Sequence, residues 1–158
     1  MNPITTCLWF NGTARQAATF YTQIFPNSHV EGGTKSPADN PSVSEGEELM
    51  VSFTLNGMPF VGLNGGPHFQ FNEAVSFMIS TDGQDETDRY WEAMTADGGA
   101  PGQCGWLKDQ FGVSWQVVPQ QMGAYLGGPD ADGARRAMEA MLEMSKIDIQ
   151  ALKEAYEG

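Results

Sequence analysis

The sequence predicts an α+β fold built from two βαβββ modules and completed by helices at the C-terminal end. Three observations carry that reading. The chain opens with a strand, a helix of 3.6-residue period, and then strands of alternating period. The same order recurs after a glycine-rich seam at "LNGGPHFQFNEAVSF", Leu63 to Phe77. The last forty or so residues show only helical periodicity.

The first module reads as follows. "ITTCLWF" is a strand, and Asn11-Gly12 marks its turn. A helix runs from about Thr13, whose hydroxyl suits an N-cap, to Phe25. Ala14, Ala17, Ala18, Tyr21, Ile24 and Phe25 form its apolar stripe, and Pro26-Asn27 ends it. "SHVEGGTK" is a second strand. "SPADNPSVSEGEE", residues 36–48, is rich in Pro, Ser and Glu and predicts a mobile excursion, a candidate lid. "LMVSFTL" and "MPFVGLN" flank Asn56-Gly57, a strong hairpin signal.

In the seam, Phe69, Phe71 and Phe77 alternate with polar neighbours and suggest strand chemistry. "AVSFMIST" is then a strand, Asp82-Gly83 a turn, and "DETDRYWEAMTAD" a helix ended by Gly98-Gly99. The acidic start of that helix complements its dipole. "CGWLKD" and "VSWQVVP" pair as a hairpin. Asn11-Gly12 lies 71 residues before Asp82-Gly83, and Gly57 lies 55 before Gly112; the difference of 16 is close to the length of the polar excursion. That is the mark of an internal duplication. The modules span 4–66 and 74–119 within one domain, and the tail spans 120–158. In the tail, Ala134, Ala137, Met138, Met141 and Leu142 form one stripe. Ile149, Leu152, Ala155 and Tyr156 form another, capped by Asp148. These stripes must cover either the chain's own sheet or a second copy.

Composition narrows the partners. A net charge of −12 with only eight scattered basic residues opposes binding to nucleic acid or to an anionic membrane. No apolar run reaches the length of a membrane span, and the start lacks the pattern of a secretory signal. The two cysteines, Cys7 and Cys104, form no metal-type pair, so a reduced, cytoplasmic setting is expected.

The segments "LWFNGTARQAATFYTQIFPNS", "LNGGPHFQFNEAVSF" and "CGWLKDQFGVSWQVVP" resemble the vicinal oxygen chelate superfamily of glyoxalase I, bleomycin-resistance proteins and extradiol dioxygenases. Within it they look like the bacterial branch labelled 3-demethylubiquinone-9 3-methyltransferase domain, with the likeness extending over nearly the whole chain, tail included. The resemblance implies a cup-shaped, curved mixed sheet and a homodimer. Methyl transfer of the doubly wound type would need a glycine-rich turn between a strand and a helix. "LNGGP" leads instead into a strand.

The superfamily's usual mechanism, by resemblance, holds a divalent metal with two residues from each half. Counting along the chain puts those positions at Thr6, at Leu63 or Asn64, near Ser76 and at Gln116. Only Gln116 is a passable ligand, so no cofactor is predicted, and a weak or atypical divalent metal is the alternative. The pocket candidates are Asn64, His68, Trp106, Gln116, Trp9 and Cys104. Asn64 would orient a ligand by its amide, and His68 would orient or deprotonate it, against the plainer reading of a surface histidine. The tryptophans would line an apolar wall or simply fill core. Cys104, near Lys108, is either a reactive thiol or an inert one. Three functions remain open: a metal-independent binding protein for a small, partly apolar molecule; an enzyme acting through Gln116, Asn64 and His68; or a dimeric interaction protein with a vestigial cavity.

Overall fold

In the computed structural model, which describes residues 4–158, the chain forms two compact units divided after Phe71. The first contains β1 (Thr6–Phe10), α1 (Ala14–Ile24), β2 (His29–Lys35), β3 (Glu48–Leu55) and β4 (Met58–Asn64). Its four-stranded mixed sheet has the order β1-β4-β3-β2, with β1 parallel to β4 and the other pairs antiparallel. Alternation along β3 decides its two faces. Val51, Phe53 and Leu55 are buried under α1, where Phe53 stacks on Tyr21 and Phe60, while Met50, Ser52 and Thr54 point the other way. The helix lies close over Gly62, where a Cβ would meet the Cβ of Ala14 at 3.1 Å.

The second unit contains β5 (Phe77–Thr81), α2 (Gln84–Thr95), β6 (Ala100–Pro101), β7 (Trp106–Lys108) and β8 (Ser114–Pro119). The tail adds α3 (Met122–Leu126), α4 (Ala131–Leu142) and α5 (Ile149–Glu157). The sheet order β5-β8-β7-β6 repeats the topology of the first unit, again with one parallel pair, β5 with β8. The duplication holds down to register. Phe10 faces Asn64 in one unit, and Thr81 faces Pro119 in the other, offsets of 71 and 55 residues. The α+β fold of two βαβββ modules with C-terminal helices is therefore present.

Several local expectations are corrected. The described residues hold no strand between Asn64 and Phe77, so Phe69 and Phe71 are not strand residues and β5 begins three residues later than its alternation suggests. Phe69 sets its edge on Trp9 and Phe71 on Phe10, which explains the aromatics without a ladder. The fourth strand of the second sheet is the two-residue β6, too short and too Pro-bound to show a period. Residues 36–47 form a closed loop laced by its own hydrogen bonds. Ser36 N–H donates to Glu47 O, Gly46 N–H to Ser36 O, and Asn40 Oδ1 accepts from Ser42 and Val43.

The N-terminus of α1 is also built differently. Thr13 occupies the N-cap position, but its side chain makes no capping bond among the described residues. Asn64, 50 residues on and 7% exposed, does the work: its Oδ1 accepts from Ala14 N–H at 2.9 Å, and its Nδ2 donates to Glu48 O at 2.9 Å. In the second unit Asp109 plays a comparable part. It is buried, accepts from the amides of Phe111 and Val113, and takes the Trp115 indole N–H at 2.8 Å, which fixes the β7–β8 hairpin. The tail is anchored within this unit through the connection between α4 and α5. Gln84 bridges Ile147 O and Ile149 N–H, Lys146 pairs with Asp88 at 2.6 Å, and the amides of Cys104 and Gly105 donate to Met144 O and Ser145 O. Of the predicted α4 stripe, Ala137 is buried whereas Met138 and Leu142 are exposed.

Two measurements follow. Asn64→Ala should lower stability in urea by about 2–3 kcal/mol, since it orphans a buried helix-end amide and a carbonyl, while Thr13→Ala should cost less than about 0.5 kcal/mol. Lys146 and Gln84 hold the Asp88 carboxyl below its usual range. Its pKa is lower folded than unfolded, so this anchor contributes stability above the ordinary carboxylate value and loses it as pH falls through the lower folded value. Asp88→Asn should therefore show a smaller drop in Tm than the parent chain between about pH 6 and pH 3.

Candidate functional site

The face of the first sheet turned away from α1 carries Cys7 and Trp9 from β1, Val61 and Leu63 from β4, and Met50, Ser52 and Thr54 from β3. A cavity of about 360 Å³ opens on it, lined by Glu31, Gly32, Gly33, Thr34, Met50, Ser52 and Val61. Its origin is local. Val30 pairs with Phe53 and Gly32 with Ser52, so Glu31 is an extra residue in β2, a β-bulge. The bulge puts the Glu31 carboxylate and position 32 on the same side. Because position 32 is glycine, no side chain covers Ser52, and a Cβ built there would meet nothing within 4 Å. Glu31 Oε1 accepts from Thr54 Oγ1 at 2.7 Å. Sequence reasoning passed over Glu31 and Gly32. The run "EGG" in a strand is the signal that could have marked a bulge.

Trp9 lies on the same face, one row along, opposite Leu63, which in turn faces Met50. The double glycine of the seam is shaped around it. A Cβ on Gly65 would come within 2.2 Å of the indole, the indole N–H donates to Gly66 O at 2.8 Å, and Ser42 Oγ donates to Gly65 O at 2.7 Å. The polar loop is thus tied to the seam. His68 lies just beyond, exposed. Cys7 is exposed on this face, and partial burial pushes its thiol pKa up, which makes it a poor nucleophile at neutral pH. Asn64 points to the opposite face, with both ends of its amide engaged by backbone.

In the second unit, the face turned away from α2 aligns Met78, Gln116 and Trp106 in one row. Gln116 Nε2 donates to Ser76 Oγ at 2.9 Å, so the structure brings these two sequence-selected positions together. The next row pairs Lys108 with Ser114, whose buried Oγ has no hydrogen-bond partner among the described residues. Lys108 forms a 2.6 Å ion pair with Glu73, and that bond holds the Glu73 carboxyl below its usual range. Its ammonium is therefore engaged away from thiolate chemistry. Cys104 sits in a tight turn at φ +56°, with its amide on Met144 O.

The four positions of the superfamily's metal do not form a fitting donor set. Thr6 and Asn64 share the helix-facing side of their sheet, Leu63 is apolar, and Ser76 and Gln116 bond to each other. Among the described residues, no three His, Cys, Asp or Glu side chains gather as a metal site. No described helix is long and apolar enough to cross a membrane.

Comparison with known proteins agrees with this architecture. The family model described as 3-demethylubiquinone-9 3-methyltransferase matches residues 2–118, so the tail helices lie beyond it rather than within the likeness. No curated protein matches the chain. Among solved structures, the PhnB protein of Bacillus cereus, which carries the same methyltransferase description, is 30% identical. That match covers 75% of this chain and 99% of the other, with a TM-score of 0.66. Protein PA1353 from Pseudomonas aeruginosa is 20% identical over 73% of this chain and 96% of its own, with a TM-score of 0.59. The fosfomycin resistance protein FosX of Mesorhizobium loti shares the fold at 12% identity over 75% and 91%, with a TM-score of 0.50. On the length of the family match and the repeated βαβββ topology, the chain belongs to the 3-demethylubiquinone-9 3-methyltransferase family, a branch of the vicinal oxygen chelate fold.

Proposed function

We propose that this protein binds a small, partly apolar molecule without a metal, in the cavity on the open face of the first sheet, and that it acts as a homodimer. The observation that carries the reading is the vacancy over Ser52, made by a bulge and a glycine in a strand where a side chain would otherwise stand. At about 360 Å³ the cavity is at the small end of ligand sites. Met50 and Val61 supply apolar wall, and Ser52 and Thr34 supply hydroxyls. Trp9, held by Gly65 and Gly66, closes the neighbouring row in this reading, and the loop 36–47 joined to it through Ser42 serves as a fixed rim.

The donor set supports metal independence, since neutral Thr, Ser and amide groups lack the charge that a tight divalent site uses. The same mismatch disfavours a chelate enzyme. Methyl transfer has no support from the geometry either: the glycine pair Gly65-Gly66 leads into the coil before β5, not into a helix N-terminus that could cradle a nucleotide. Exposed Met78, Met138 and Leu142 support a homodimer as surfaces that a second copy would cover. The two free thiols support a reducing, cytoplasmic setting.

Native mass spectrometry of the untagged protein tests the reading directly. The expected spectrum is a dimer without stoichiometric divalent metal, bare or carrying a small organic adduct. A stoichiometric metal would sink metal independence and revive the chelate enzyme, and a monomer at micromolar concentration would sink the dimer. Gly32→Phe should keep or raise stability by up to about 1 kcal/mol, because it replaces a strand glycine in open space, yet it should abolish ligand uptake.

A further inference from the structure

We infer that the bulge at Glu31 makes this cavity selective for small organic cations, protonated amines with an apolar body. The inference rests on the reading of the cavity as a ligand site and adds the charge and class of what enters it. Seven residues line the cavity, and Glu31 is the one ionisable side chain among them. Its carboxylate takes a single hydrogen bond, from Thr54, and no cation pairs with it among the described residues. A regular strand could not offer both this carboxylate and an empty neighbouring position on one face, because successive side chains alternate. The bulge does so by adding one residue.

The surrounding charges leave that carboxylate uncompensated. Arg15 is committed to Glu48, donating Nε–H to Oε2 at 2.8 Å and its Nη2 to Oε1. Lys35 stands across from the same Glu48 in register, and the Arg15 hydrogen bond, with a smaller contribution from Lys35, holds that carboxyl below its usual range. His29 faces Thr54 at the start of β2 and does not line the cavity. An anionic ligand would therefore meet one carboxylate and no cation, in a chain of net charge −12. A protonated amine would meet a carboxylate oxygen with a free lone pair, two hydroxyls to share its remaining donors, and Met50 with Val61 for its carbon chain.

Three probes with one hydrocarbon body isolate the charge: hexylamine, 1-hexanol and hexanoate, titrated at pH 8 and low salt into the full chain and followed by amide chemical shifts. The shifts at Gly32, Thr34, Met50 and Ser52 should report hexylamine binding about fivefold more tightly than hexanol, the size of an exposed ion pair, with hexanoate weakest. That advantage should shrink with added salt. Glu31→Gln should bring the hexylamine-to-hexanol affinity ratio down to about one, and Gly32→Phe should abolish binding of all three. Equal binding of the three probes at these amides would overturn the charge selection and leave the cavity reading intact. Binding of none of them there, or shifts only elsewhere on the acidic surface, would overturn both. An amine preference that survives Glu31→Gln would take the selection away from this residue.

Discussion

One buried amide ties the first unit together. Asn64 ends β4, stands beside Phe10 at the end of β1, and spends Oδ1 on the first free amide of α1 and Nδ2 on the carbonyl that begins β3. Helix, parallel strand pair and hairpin are thereby set against one another by a single side chain. An exposed N-cap would have satisfied the helix end equally well, but it would have left the orientation of α1 on the sheet to apolar contacts alone. The close approach of Ala14 to Gly62 depends on that orientation.

The two units reach the same topology through different chemistry. Where the first has Asn64, the second has Pro119, which can cap nothing. The start of α2 is served instead by Glu86 accepting from Asp82 N–H, and by Thr87 bonded to both Thr81 and Gly83 O. Asp109 supplies the unit's other organising group, buried with both carboxylate oxygens engaged at the mouth of the hairpin. Gln116, on the strand that follows this hairpin turn, is bonded to Ser76. The helical tail, outside the family match, is moored through Gln84 and Lys146 on segments of its own unit, so its anchoring needs no second copy.

Deviation from strand regularity is what creates space. A perfectly alternating β2 would have set a side chain over Ser52, and its edge would have been a flat template for another strand. The bulge and the two glycines interrupt both. The same irregularity that guards an edge therefore opens a cavity and aims one carboxylate at it. At the Trp9 end of the neighbouring row the fit is the opposite: the space left by Gly65 is filled by the Trp9 indole, which a Cβ there would meet at 2.2 Å.

Much of this was legible in the chain itself. Ala14, Ala17, Ala18 and Tyr21 at helical spacing, the alternation of "VSFTL", the Asn56-Gly57 turn and the 71- and 55-residue offsets determined the elements and their duplication, because period and turn chemistry are local properties. Asp148 could be read as a cap for the same reason, its partner being three residues away. What the sequence could not show was any partnership across the chain. Thr13 looked like the cap and Asn64 like a pocket residue, because a hydrogen bond spanning 50 residues leaves no local mark. Phe69 and Phe71 looked like a strand, since the rings they touch, Trp9 and Phe10, are distant in sequence. Glu31 and Gly32 became a candidate site only through pairing with β3, for a bulge is defined by the register of two strands and cannot be read from one of them.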